Sequence, residues 1–217
     1  MAFWVLLIGV ILSYTRAAWL SLVLVIVIYF IYLFRIKFKH VLLIGITGLA
    51  IFLTVKDDLF MKLEKNRQDS ATDFNKLRMW KQRPVMGWGP GTYQFNYAPF
   101  QKSNEMTIIS TNAGDMGNAH SEYIGPLAEQ GVPGMAFIII LVSVIIYTGS
   151  MIYSKSENKH SRKMALAILL GLLTYFIHGI MNNFLDTDKL AVPVWAFVAM
   201  IVALDVYHSK PEDASTK

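Results

Sequence analysis

Apolar residues in this chain come in blocks. They fill 2–12, 17–34, 41–55, 134–153, 164–181 and 190–207, gathered together instead of alternating at helix or strand period. A helix that is apolar on every side belongs in a core or a bilayer. Crossing about 30 Å of hydrocarbon takes roughly 20 residues, so the block lengths favour the bilayer. The pattern predicts an all-α protein, a polytopic membrane helix bundle with about five full spans plus a truncated first one. Residues 2–12 are too few to span alone, and no basic stretch precedes them as a secretory signal would require. The chain is therefore expected to begin partway through a larger protein.

Basic residues set the sidedness. Arg35, Lys37, Lys39 and His40 follow one apolar block, and Lys155, Lys159, His160, Arg162 and Lys163 follow another. Single crossings put both clusters on one side, which the positive-inside rule makes cytoplasmic. The polar stretch from 56 to about 132 then lies outside, and connections of that length are functional or disordered. It carries nine Lys and Arg (56, 62, 65, 67, 76, 78, 81, 83, 102) and nine acids (57, 58, 64, 69, 73, 105, 115, 122, 129), so no net charge holds it inside. The expected organisation is transmembrane helices over 1–55, an extracytoplasmic loop with short helices over 56–133, further transmembrane helices over 134–207, and a disordered cytoplasmic tail over 208–217.

Composition agrees: 54% of the 217 residues are hydrophobic, 16% are charged, and the mean hydropathy is +0.43. With no cysteine there are no disulfides or thiolate metal sites. The net charge of +5 sits beside apolar segments, as membrane orientation requires, so no nucleic-acid partner is expected.

Candidate chemistry gathers where the loop meets the next apolar block, over Asn118-Ala119-His120-Ser121-Glu122-Tyr123-Ile124-Gly125-Pro126-Leu127-Ala128-Glu129-Gln130-Gly131-Val132-Pro133-Gly134. Tyr123, Ile124, Leu127 and Ala128 fall at helical spacing. Asn118 is placed to cap a short amphipathic helix, and Gly131 with Pro133 to stop it. His120 then lies in its first turn, where the partial positive charge of the helix N-terminus favours a neutral imidazole able to accept a proton.

Other residues are less specific. Arg16 sits between two apolar blocks, where a cation either snorkels to headgroups or faces an anionic partner in a wet cavity. Arg78, Trp80, Lys81 and Arg83 suit a phosphate with a sugar face, or the headgroup belt. Pro84-Val85-Met86-Gly87-Trp88-Gly89-Pro90-Gly91-Thr92-Tyr93 offers backbone N–H groups as an anion nest, or serves as a structural turn. It is not a Walker loop, since no Gly-Lys-Ser/Thr follows. His178, inside an expected span, reads as a packed core residue or a relay. Asp186 and Asp188 suit a ligand contact or a solvated turn. His120 and Glu122 point to different helix faces, and no spacing matches a metal site.

Three motifs together resemble one family. Ser13-Tyr14-Thr15-Arg16-Ala17-Ala18-Trp19, then Arg78-Met79-Trp80 with the Pro84 to Tyr93 turn, then Asn118 to Tyr123 with Leu127, Glu129, Gly131 and Gly134, are similar in order to segments of the O-antigen ligase and polysaccharide polymerase family of bacterial membrane glycosyltransferases. The resemblance implies transfer of an oligosaccharide from an undecaprenyl-diphosphate carrier to an acceptor glycan or lipid hydroxyl at the outer face, without metal or other cofactor. It implies Arg16, Arg78 and Arg83 on the diphosphate and His120 as the base, with Trp80, Gly89, Gly91, Asn118, Tyr123 and Glu129 binding substrate. Family members carry about twice as many spans, which makes this chain similar to their C-terminal half. The Arg78 to Pro84 spacing is also shorter than theirs, so Arg83 stands as a substitute for Arg78. Two other readings are a transporter or flippase of lipid-linked oligosaccharide, with Arg16 and His178 lining its path, and a non-catalytic fragment or assembly partner.

Overall fold

The computed structural model describes residues 2–13, 15–36, 39–40, 47, 74–100 and 119–208. All regular structure among them is helical, with no strand. In order these are α1 (Ala2–Leu12), α2 (Arg16–Leu33), α3 (Phe74–Gln82), the single turn α4 (Tyr93–Asn96) with a 3-10 turn at Ala98–Phe100, α5 (Ile124–Lys155), α6 (Lys159–His178) and α7 (Asp188–Ala203), which winds on as a π turn over Leu204–His208.

Helix α6 is the centre of the bundle. One side packs Leu169 and Leu173 against Val25 of α2. The other packs Ala165, Ile168, Leu172 and Tyr175 against Ile145 and Ile152 of α5 and Val194 and Ile201 of α7. Leu169, Leu172, Ile152 and Ile201 are at most 2% exposed, so these seams are dry. In lipid such seams are held by van der Waals fit, because hydrocarbon outside is as apolar as leucine.

The helix ends follow from local chemistry. Arg35, at φ 49°, closes α2: its N–H donates to the Tyr32 carbonyl and that of Ile36 to the Ile31 carbonyl, so the last turn keeps its partners. Asn158 caps α6, its Oδ1 accepting from the N–H groups of His160 (2.8 Å) and Ser161 (3.3 Å). At this end Tyr32 bonds Ser150 and meets Tyr153 edge-on, while Arg162 Nε donates to the Tyr153 carbonyl at 2.9 Å. At the opposite end, α1 is tied back by Trp19 Nε1, which donates to the Val10 carbonyl at 2.9 Å.

Several expectations are revised. Among the described residues, the helices long and apolar enough to cross a membrane are Ile124–Lys155 and Asp188–Tyr207, with Ala17–Leu33 a shorter apolar helix. These are fewer than the five expected spans, and the block at 41–55 lies largely outside the described residues. One expected boundary also moves: the helix placed at 164–181 runs from Lys159 to His178.

The short helix expected before Gly131 is present, since the run Ile124–Lys155 is two helices in succession parted at that residue. Gly131, at φ 71° and ψ −159°, stops the first of them as expected. Pro133 falls in the first turn beyond the break, where a missing N–H forfeits no helical bond. Asn118 lies outside the described residues, and the start is capped by Ser121, whose Oγ accepts from the N–H groups of Tyr123 and Ile124 at 3.3 Å each.

Candidate functional site

The segment from Pro84 to Tyr93 docks backbone to backbone against the start of α5. Trp88 N–H donates to the Ala128 carbonyl (3.2 Å), Gly89 N–H to the Glu129 carbonyl (2.7 Å), and Val132 N–H to the Pro84 carbonyl (2.9 Å). The break at Gly131 frees that last N–H and sets it facing the turn. Approach is close enough that a Cβ on Gly131 would stand 2.2 Å from the Val85 carbonyl oxygen, and one on Gly87 would stand 2.4 Å from the Glu129 carbonyl. Both residues sit at positive φ, 71° and 65°, so space and backbone conformation alike require glycine.

The Glu129 side chain completes the dock. Its Oε2 accepts from Gly91 N–H and its Oε1 from Tyr93 N–H, both at 2.9 Å. Of the two readings of this segment, anion nest or structural turn, these bonds serve the turn, because the anion that takes the N–H groups of Gly91 and Tyr93 is the protein's own carboxylate. Charge-assisted bonds of this kind are about twice as strong as neutral ones.

Aromatic packing fastens the unit to α3. Met79 and Ala128 are fully buried, packed with Tyr93, Tyr97 and Ala119. Trp80 Nε1 donates to the Pro84 carbonyl (3.2 Å), and Trp88 Nε1 to the Met79 carbonyl (2.9 Å). The Arg83 guanidinium lies 4.3 Å over the Trp88 ring, with Phe100 edge-on at 5.5 Å. Arg78 and Arg83 are both exposed.

His120 departs from expectation. It lies in a bend four residues before α5 begins, at φ 40°, and not in the first turn of that helix. It is exposed, while its neighbours Ala119 (4%) and Ser121 (2%) are buried, so the chain is pinned on both sides of a solvent-facing imidazole.

Glu122 is the residue the sequence did not reveal. Its N–H donates to the Gly179 carbonyl at 2.9 Å, and its Oε1 accepts from both the Tyr175 hydroxyl and the Leu185 N–H (2.9 Å). Beside it, the Tyr123 hydroxyl donates to the Phe176 carbonyl at 3.0 Å. Burial, then the nearby Glu122 carboxylate, raise the Tyr123 phenol above its ordinary value, so it stays a donor. These partners lie 53 to 63 residues away along the chain. The available signal was a carboxylate with no Lys or Arg within four residues, at the edge of an apolar block.

Tyr175 also lines a groove of about 800 Å³ between α1, α2, α6 and the start of α7. That volume lies within the range of small-molecule sites. The lining surface is mostly apolar, and Ser21, Thr174, His178, Thr187, Asp188 and Lys189 are among its polar members. Arg16 opens α2 two residues before Ala18, which lines the groove. His178, the last residue of α6, bonds Asn182 at 3.1 Å and stacks on Phe184, while Asp186 accepts from Asn183 at 2.9 Å.

The structure therefore brings Trp80, Arg83, Gly89, Gly91 and Glu129 into one docked unit. It ties Tyr123 to the end of α6 and sets Arg16 at a helix start beside the groove. Against known proteins, a family model described as O-antigen ligase matches residues 1–139, which include every residue named in this unit. No curated protein and no solved structure matches the chain.

Proposed function

Because this chain belongs to the O-antigen ligase family, we propose that it is a multi-pass membrane glycosyltransferase that moves oligosaccharide from an undecaprenyl-diphosphate carrier to an acceptor hydroxyl at the outer face. The family is membrane-associated and its class of reaction is polysaccharide ligation or polymerisation. Carrier, sidedness, independence of metal and residue roles are our reading.

In that reading the acceptor oxygen attacks the anomeric carbon and gives its proton to His120. The bond to the diphosphate oxygen breaks, and the diphosphate leaves on the lipid. Negative charge building on the leaving oxygens is met by Arg16, Arg78 and Arg83, whose guanidinium groups bond phosphate in pairs. A sugar hydroxyl is a poor nucleophile until a base within hydrogen-bond reach removes its proton. Trp80, Gly89, Asn118 and Tyr123 are assigned to sugar contacts. Gly91 and Glu129 contribute through the bond they share, which keeps the turn in shape.

The observation that carries the reading is the dock itself: two segments about forty residues apart close into one unit around Glu129, leaving Arg83 and His120 exposed. The test is His120→Ala in the full chain, scored by the length distribution of surface polysaccharide. Loss of product with carrier-linked units accumulating at the outer face is the expected result. Product of wild-type length overturns the base assignment, and units held at the inner face favour a flippase.

A further inference from the structure

We infer that Glu122 is a positioning residue, which fixes the turn carrying His120 to the outer end of α6 and to the 179–187 connection. This rests on the proposal that His120 is the base. Glu122 is two residues from His120 and holds three bonds to the far segment: main chain to Gly179, and side chain to Tyr175 and Leu185. Tyr123 adds a fourth at Phe176. The His120 turn has no helix of its own to stand on, since α5 starts only at Ile124. This peg holds the main chain of the turn that carries the imidazole. Through Tyr175 it reaches a residue that lines the groove directly.

The two side-chain bonds fall on one oxygen, Oε1. That detail makes the role separable from a charge or proton-transfer role. A glutamine carbonyl can accept both bonds, whereas a neutral side chain can neither carry negative charge nor act as a base. Alanine loses both bonds.

The experiment uses membranes containing the full chain, with host-extracted undecaprenyl-diphosphate-linked oligosaccharide as donor, and normalises to folded protein recovered in detergent. Misplacing a catalytic group by about 1 Å costs on the order of 100-fold in rate. Glu122→Ala is therefore expected to lower kcat by about that factor with donor KM within about threefold of wild type. Glu122→Gln is expected to keep kcat within about threefold, with an unchanged pH profile. Tyr175→Phe, which removes one of the two bonds, should lower kcat several-fold, and it carries the test should the alanine variant fail to fold.

A glutamine variant as inactive as alanine, or one with a displaced pH profile, overturns the positioning role while leaving His120 in place as base. Unchanged kcat per folded molecule in both Glu122→Ala and Tyr175→Phe overturns it too. Wild-type turnover in His120→Ala, run alongside, overturns the base reading and this inference together, and is told apart by the behaviour of that variant alone.

Discussion

The helical bundle and the docked unit are both tightly packed, but by different means. Seams of α6 with α2, α5 and α7 are side chain against side chain, leucine and isoleucine meeting at nearly zero exposure. The unit formed by residues 84–93 and 128–132 is main chain against main chain, closed by one carboxylate. A side-chain seam can relax around a change of size, since rotamers shift and neighbours move in part. A backbone contact has no such reserve, because an added methyl meets atoms that carry the fold. The motif residues are thus held by the less forgiving kind of packing.

The comparison breaks first at Gly131. Gly131→Ala places a methyl 2.2 Å from the Val85 carbonyl oxygen at φ 71°, combining steric overlap with backbone strain. The expected cost is roughly 2–6 kcal/mol, summing the usual ranges for strain and overpacking. It should appear as rapid proteolysis within 84–93, and protection equal to wild type would refute the backbone dock. Leu172→Ala is expected to cost about 2–4 kcal/mol through the cavity it leaves, lowering thermal stability in detergent while the 84–93 turn stays protected. Parallel loss of that protection would show that the two regions are one cooperative unit.

Glu129 sharpens the contrast at a smaller scale. Glu129→Ala removes two charge-assisted bonds, an expected loss of about 2 kcal/mol given its partial exposure. Glu129→Gln should recover only part of it, because the bonds use separate oxygens and an amide nitrogen facing an N–H cannot accept. Thermal melts of the three forms should rank wild type, glutamine, alanine. Equal melting of all three would mean the carboxylate does not close the turn.

The sequence made the helical class legible because apolar blocks leave few alternatives. Gly131 was read as a stop, and its backbone does end the first helical run there; the sequence did not show that a second run follows directly within α5. His120 was placed inside a helix, whereas Ser121, the residue after it, caps the start, and a serine beside a histidine gives no local sign of that. Glu122 escaped notice because its partners Tyr175 and Leu185 are 53 and 63 residues distant, and hydrogen bonds between remote residues leave no period to read. The segment 84–93 was read as a nest or a structural turn, but the sequence did not show that its occupant is Glu129.

The break at Gly131 leads, with no spacer, into the apolar length of α5. The docked unit is consequently geared to that helix. One residue inserted just beyond Gly134 would rotate everything before it by about 100° around the axis and lift it by about 1.5 Å. The register of the membrane helix therefore sets both the compass bearing and the depth at which the His120 turn is presented.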